Sequence, residues 1–201
     1  MVEDPVARFM RFGGLCGIVG AVLTLVMVFA ATILSPWFRW DTNALSELGV
    51  GEVSLLFNCG VVIGGALNFI FALGVREHLL EGRLVSIGAA LILVGSVSML
   101  LVGIFTAAYP IAHAIVALGY FVSVPVGFIL IGLGTRMPKI RMPSLATGMA
   151  ALMVILVLPI IFLVAHFNVG FAVPEMMEAL IIAAWIVFMG VKLLRAPYEG
   201  N

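Results

Sequence analysis

Charge is scarce in this chain. Of 201 residues, ten are Lys or Arg and ten are Asp or Glu. Charged side chains thus make up 10%, against about a quarter in soluble domains. Apolar residues reach 64% and the mean hydropathy is +1.28. Too little polar surface remains to cover a water-facing body, so a soluble globular domain is excluded. The formal net charge of zero argues against a nucleic-acid partner, which would need a basic face. Also absent are a Walker loop, a dinucleotide-binding glycine motif and a nucleophile elbow, so no cofactor is implied.

Cysteine is nearly absent as well. Cys16 falls near one end of the first apolar run and Cys59 near the opposite end of the second. At 1.5 Å rise per residue their depths differ by roughly 20 Å. A disulfide needs Cα atoms within about 7 Å. The two are read as free, apolar fillers.

What the chain does have is long apolar runs. Six are visible, at about 12–35, 53–75, 84–107, 111–134, 144–166 and 176–195, none with a charge well inside it. A membrane-crossing helix needs roughly 20 such residues. A β-barrel would instead show short alternating segments. The first run is longer than the roughly 7–15 apolar residues of a cleaved signal. The expected fold is all-α: a polytopic protein of the cell membrane, six helices in one bundle, with residues 1–201 as a single domain.

The basic residues set the expected orientation. Arg8, Arg11, Arg76, Arg83, Arg136, Lys139, Arg141, Lys192 and Arg195 fall on one side, and only Arg39 on the other. Cytoplasmic loops collect Lys and Arg. Both termini and "TRMPKIRMPS", read as a basic proline-broken turn, are expected in the cytoplasm. The acids divide evenly and carry no orientation signal.

The outer connection "SPWFRWDTNALSELGVGE" offers Trp37, Phe38 and Trp40 as an interfacial anchor. A short helix over "NALSEL", capped by Asp41 or Thr42 and ended by Gly49 and Gly51, is expected to lie along the surface. Gly13, Gly17 and Gly20 mark a close-packing face on helix 1, and Gly60 and Gly64 one on helix 2. Pro125 and Pro159 predict kinks in helices 4 and 5. The helix parity permits an inverted repeat, but no motif recurs between the halves.

With this orientation, polar groups gather at the outer surface. His113 opens helix 4, His166 ends helix 5, and Glu175 and Glu178 open helix 6. Asp41, Ser46 and Glu47 lie in the outer loop, and Asn58 lies just below it in helix 2. Most have structural explanations. Glu175 suits a helix N-terminus and a protonated His166 a helix C-terminus. Asp41 suits a cap, and Glu47 and Glu52 suit solvated loop positions. His113 fits less well, because a cationic imidazole at a helix N-terminus meets the positive end of the dipole. It should stay neutral or find an acid, with Glu178 the best placed. Tyr120, two turns on, shares its face. His113 and Glu178 are therefore the candidate acid–base pair, with Asp41, Ser46, Glu47, Asn58 and His166 as candidate ligand-binding residues. Two histidines and a carboxylate could hold zinc, but their spacing forms no metal motif and no metal is expected.

The stretches "NALSELGVGEVSLLFNCGVVIGG", "GIFTAAYPIAHAIVALGYF" and "PEMMEALIIAAW" resemble a widespread prokaryotic membrane family, common in archaea, catalogued as domain of unknown function 998. The resemblance rests most visibly on Ser46, Leu48, Gly49, Asn58 and His113. It implies a six-helix membrane protein without an assigned activity. The loop and second helix are also similar, more distantly, to the eukaryotic DRAM and Sfk1-type membrane proteins, which are tied to lipid organisation and autophagy.

Three readings follow. One is a small polar pocket at the outer surface that binds, and by extension hydrolyses, a lipid headgroup or small amphiphile. Another is a non-catalytic scaffold or accessory subunit, joined to a second copy or a membrane partner through its glycine faces. The third is a small carrier without ionisable groups at the bilayer midplane. Membrane lipids are partners in all three.

Overall fold

The computed structural model describes residues 4–79, 82–164 and 170–195. Its elements are α1 (Pro5–Ile33), a 3₁₀ turn (Leu45–Gly49), α2 (Ser54–His78), α3 (Gly82–Ile104), α4 (Pro110–Gly134), α5 (Pro138–Leu152), a π turn (Met153–Val157), α6 (Leu158–Val164) and α7 (Ala172–Leu194). With α5, the π turn and the start of α6 forming one span, six helices among the described residues are long and apolar enough to cross a membrane. This is the architecture of a multi-pass membrane protein.

Several helices start earlier than the apolar runs suggest, and proline explains three cases. Pro5 and Pro138 stand in first turns, where the missing N–H has no helical partner to lose. Asp4 caps α1 by accepting from Val6 N–H at 3.0 Å. The segment "TRMPKIRMPS" is therefore not a broken turn. It enters α5 at Pro138, and Pro143 is carried inside that helix. In α7, Pro174 is the third residue, so Glu178 stands nearly two turns inside the helix.

The two prolines expected to kink their helices behave differently. α4 continues through Pro125 as one α-helix. The fifth span instead widens into the π turn immediately before Pro159. A proline ring cannot sit against the carbonyl four residues earlier, and an extra residue in the turn gives it room.

The spans pack in chain order, α1 on α2, α2 on α3, α3 on α4 and α4 on α5, and α7 closes the ring against α5 and α1. Reciprocal glycines set several of these contacts. A Cβ on Gly88 would lie 2.7 Å from the Gly127 carbonyl oxygen, and one on Gly127 the same distance from that of Gly88. Gly14 and Gly190 face each other across α1 and α7 in the same way, and Gly13 and Gly74 across α1 and α2. The faces expected to recruit a partner are occupied within the chain. A Cβ on Gly17 would strike the Phe71 ring, one on Gly20 would meet Leu67, one on Gly60 Met27, and one on Gly64 Thr24.

The half of the bundle nearer the termini is filled by rings. Trp185 of α7 stacks on Phe128 of α4 with centroids 3.9 Å apart and meets Phe71 of α2 edge-on at 6.1 Å. All three are buried. The indole Nε1–H donates to Ser144 Oγ at 2.9 Å, which satisfies its one polar atom. Cys16 and Cys59 are both free thiols, the first buried and the second half-buried.

Candidate functional site

The opposite half, where the 34–53 and 105–109 loops lie and α7 begins, is built differently. The loop first turns over an aromatic cluster. Trp40 packs on Phe38 at 5.5 Å and Phe29 at 6.4 Å, and Trp37 on Phe38 at 6.0 Å. It then dives inward. Leu45 and Leu48 of the 3₁₀ turn are buried and join Val28, Phe57, Val61 and Met176 in a core cluster. The turn thus faces the bundle, and its leucines cover the ends of α1 and α2.

Three sets of hydrogen bonds hold the loop there. Glu47 reaches back, accepting from Ala44 N–H at 2.9 Å and from Asn43 Nδ2 at 2.6 Å. Glu47, rather than Asp41 or Thr42, is thus the cap of this turn. Asn58 donates from Nδ2 to the Gly49 carbonyl at 3.0 Å and fixes the far end of the turn to α2. From the other side, Gly170 N–H donates to Asp41 O at 2.7 Å and Ala172 N–H to Asn43 O at 2.9 Å. Glu175 completes the seam by accepting from Leu45 N–H at 2.6 Å.

Asp41 stands apart from the cavity described below. Its carboxylate accepts from Arg39 Nε at 3.1 Å and Nη2 at 2.8 Å, and both side chains are exposed. The hydrogen bonds to Arg39 hold the Asp41 carboxyl below its ordinary range, and the Arg39 guanidinium is raised in return.

Beneath the 3₁₀ turn lies a cavity of about 90 Å³. Its walls are mostly apolar: Val28 of α1, Phe57 and Val61 of α2, Met99 and Val102 of α3, Ala117 and Phe121 of α4, and Met176 and Ala179 of α7. Ser46, His113 and Glu175 line it from the loop end, and Thr24 and Tyr120 line it as well. A second space of about 30 Å³ shares Thr24, Leu25, Met99, Tyr120 and Ala179 with the first and adds Asn68.

His113 is held by a contact of 2.7 Å between Nδ1 and the Phe105 carbonyl, beyond the end of α3. A carbonyl oxygen can only accept, so Nδ1 carries the hydrogen. In the neutral form of the ring Nε2 is then the acceptor.

The expected partner of His113 is placed differently. Glu178 is fully buried and lies on α7 one turn deeper than Glu175, which shares the cavity lining with His113. Both Glu178 oxygens lack a hydrogen-bond partner among the described residues. Of the candidate ligand-binding residues, Ser46 lines the cavity, whereas Glu47 and Asn58 hold the loop above it. His166 lies outside the described residues. Among the described residues, no three His, Cys, Asp or Glu side chains gather as a metal site would require. Glu175 is the residue that sequence reasoning underrates. Its position after Pro174 suggests a helix-dipole role and gives no sign of its partner in the loop.

No curated protein and no solved structure matches this chain. One protein family does: residues 18–192, reaching from α1 to α7, match the family described as "Protein of unknown function (DUF998)". With most of its length covered by that match, the chain belongs to the DUF998 family.

Proposed function

We propose that this protein binds a small amphiphile in the cavity beneath the 3₁₀ turn, on the outer side of the cell membrane, with both termini in the cytoplasm and the whole chain acting as one domain around that site. The observation that carries the reading is the division of the cavity. Its body is lined by apolar side chains from five helices, and Ser46, His113 and Glu175 converge at its loop end. Such a division suits a ligand with an apolar chain and a polar end, because few placed polar groups in an apolar pocket fix orientation. The sidedness rests on the nine basic residues that fall at the terminal end, against Arg39 alone at the other. Binding is favoured over hydrolysis because, among the described residues, no nucleophile–base hydrogen bond joins those that line the cavity.

The test is to purify the protein in mild detergent, extract what remains bound and identify it by mass spectrometry. One amphiphile is expected in near-stoichiometric amount with the wild type and absent from Ala117→Trp, whose indole would fill the space. Equal retention by a monodisperse Ala117→Trp protein would overturn the reading. Labelling of single cysteines, placed at Val50 and at Lys139, by an impermeant reagent on intact cells tests sidedness. Only the Val50 position should react.

A further inference from the structure

Several polar atoms in and around this cavity are acceptors without a partner, beside the hydroxyls of Ser46, Thr24 and Tyr120 that also line it. His113 gives its Nδ1 hydrogen to Phe105 and retains Nε2 as an acceptor. Asn58 directs Nδ2 to Gly49, and Asn68 directs Nδ2 to Met99 Sδ at 3.6 Å. The Oδ1 atoms of both asparagines are buried without a partner among the described residues, as are both oxygens of Glu178. Glu178 is within Coulombic reach of Glu175 and of Tyr120, and Glu175 of Glu47.

Among the described residues, positive charge is scarce in the same region. No Lys or Arg lines either cavity. Arg39 is the basic residue at this end of the bundle, and its guanidinium is exposed and engaged by Asp41. A buried carboxylate without donors or a counter-charge is costly in an apolar surround. Acidic groups in a membrane interior mark sites where something of opposite charge is handled.

We propose that the amphiphile this site takes carries a primary ammonium group. The ammonium sits at the loop end of the cavity on the Glu175 carboxylate, with Ser46 Oγ and His113 Nε2 as further acceptors. Its chain lies among Val28, Phe57, Val61, Met99 and Phe121. Glu178 lies one turn deeper and does not touch the ligand, and an ammonium above it favours its ionised form. An ammonium has three N–H donors and a charge, which complements a carboxylate and two neutral acceptors. A carboxylate or phosphate end would meet the Glu175 carboxylate and, among the described lining residues, no Lys or Arg. An alcohol brings one donor and no charge. This inference rests on the amphiphile-binding reading above and narrows its ligand.

The experiment compares dodecylamine, dodecanol and dodecanoate, which share one chain length, on the full-length protein in a non-ionic detergent. Binding is followed by thermal shift and calorimetry. Dodecylamine should bind at least about tenfold more tightly than dodecanol, the margin of one charge-assisted contact, and dodecanoate more weakly than both. Glu175→Gln should bring the amine down to the level of the alcohol while alcohol binding persists. Glu178→Gln should narrow the preference by a smaller factor, and serves if Glu175→Gln does not fold. Nanodiscs with and without phosphatidylethanolamine separate the two sources of such a group. Competition against dodecylamine only when that lipid is present identifies a headgroup, and no competition identifies a free single-chain amine. Equal affinity for amine and alcohol, or a preference for dodecanoate, would overturn the ammonium assignment and leave the amphiphile site standing. Failure of all three to bind would remove the site itself.

Discussion

The carboxylate of Glu175 and the backbone N–H of Leu45 are 130 positions apart in the chain and 2.6 Å apart in the fold. This bond fastens the connection between the first two spans to the start of the last. It also places the same side chain on the wall of the cavity. Removing the acceptor should therefore loosen the loop and alter the site together. Glu175→Ala leaves a half-buried N–H without a partner, a loss of about 1–3 kcal/mol. Glu175→Gln keeps an acceptor oxygen and should lose less. Thermal unfolding in detergent, with limited proteolysis of the 34–53 segment, reads both. Equal behaviour of the two variants would deny the bond its role.

Gly170 provides a second fastening. A Cβ there would collide with backbone atoms of Thr42 and Asn43, including Asn43 N at 2.6 Å, and backbone cannot yield as a flexible side chain does. Gly170→Ala should break the Gly170–Asp41 hydrogen bond and raise hydrogen exchange at Asn43–Leu45. Unchanged exchange at those amides counts against the seam.

The glycine contacts predict intramolecular damage. Gly88→Leu or Gly127→Leu must push α3 and α4 apart, because each Cβ would meet the other residue's carbonyl oxygen. Such over-packing costs about 1–3 kcal/mol or more. Gly64→Leu should do the same between α1 and α2, through Thr24. Size-exclusion chromatography with melting curves should show a less stable protomer at any concentration. A variant that kept its melting point and lost only an assembly state would restore the idea of a partner surface.

Ser144 is the acceptor for the buried Trp185 indole. Ser144→Ala strands that N–H in an apolar surround, which should lower stability by about 1–3 kcal/mol. Trp185→Phe in the same background should recover part of the loss, since no donor then remains. A double-mutant cycle in thermal unfolding measures the coupling, and additive effects would contradict it.

Asp41 should be nearly silent. Its carboxyl is held below the ordinary range by Arg39. The pair's contribution is thus complete above the usual aspartate range and disappears as pH falls through the lowered value. Both partners are exposed, where such pairs contribute little. Asp41→Asn should leave both the melting temperature and amphiphile binding at neutral pH unchanged. A marked loss of binding would return Asp41 to the site.

The six spans are legible because lipid leaves the backbone no other way to satisfy itself, so length and lack of charge suffice. Their ends are less legible where proline is involved. Pro138 and Pro174 look like interruptions, yet both stand in first turns. His113 and Ser46 stand out in the sequence as isolated polar side chains beside apolar runs, and both line the cavity. Glu175 escapes because its partner is a main-chain amide, which carries no residue signature. Asp41 and Glu47 differ in that each is already occupied by a neighbour within four residues, Arg39 and Asn43 respectively. Side-chain chemistry alone does not reveal whether its valence is taken.

The closing of the ring by α7 against α1 has a consequence for biogenesis. Met176, Ala179 and Glu175 supply the final wall, and Glu175 the acceptor that Leu45 lacks until then. The chamber is therefore complete only once the last helix has packed back against the first.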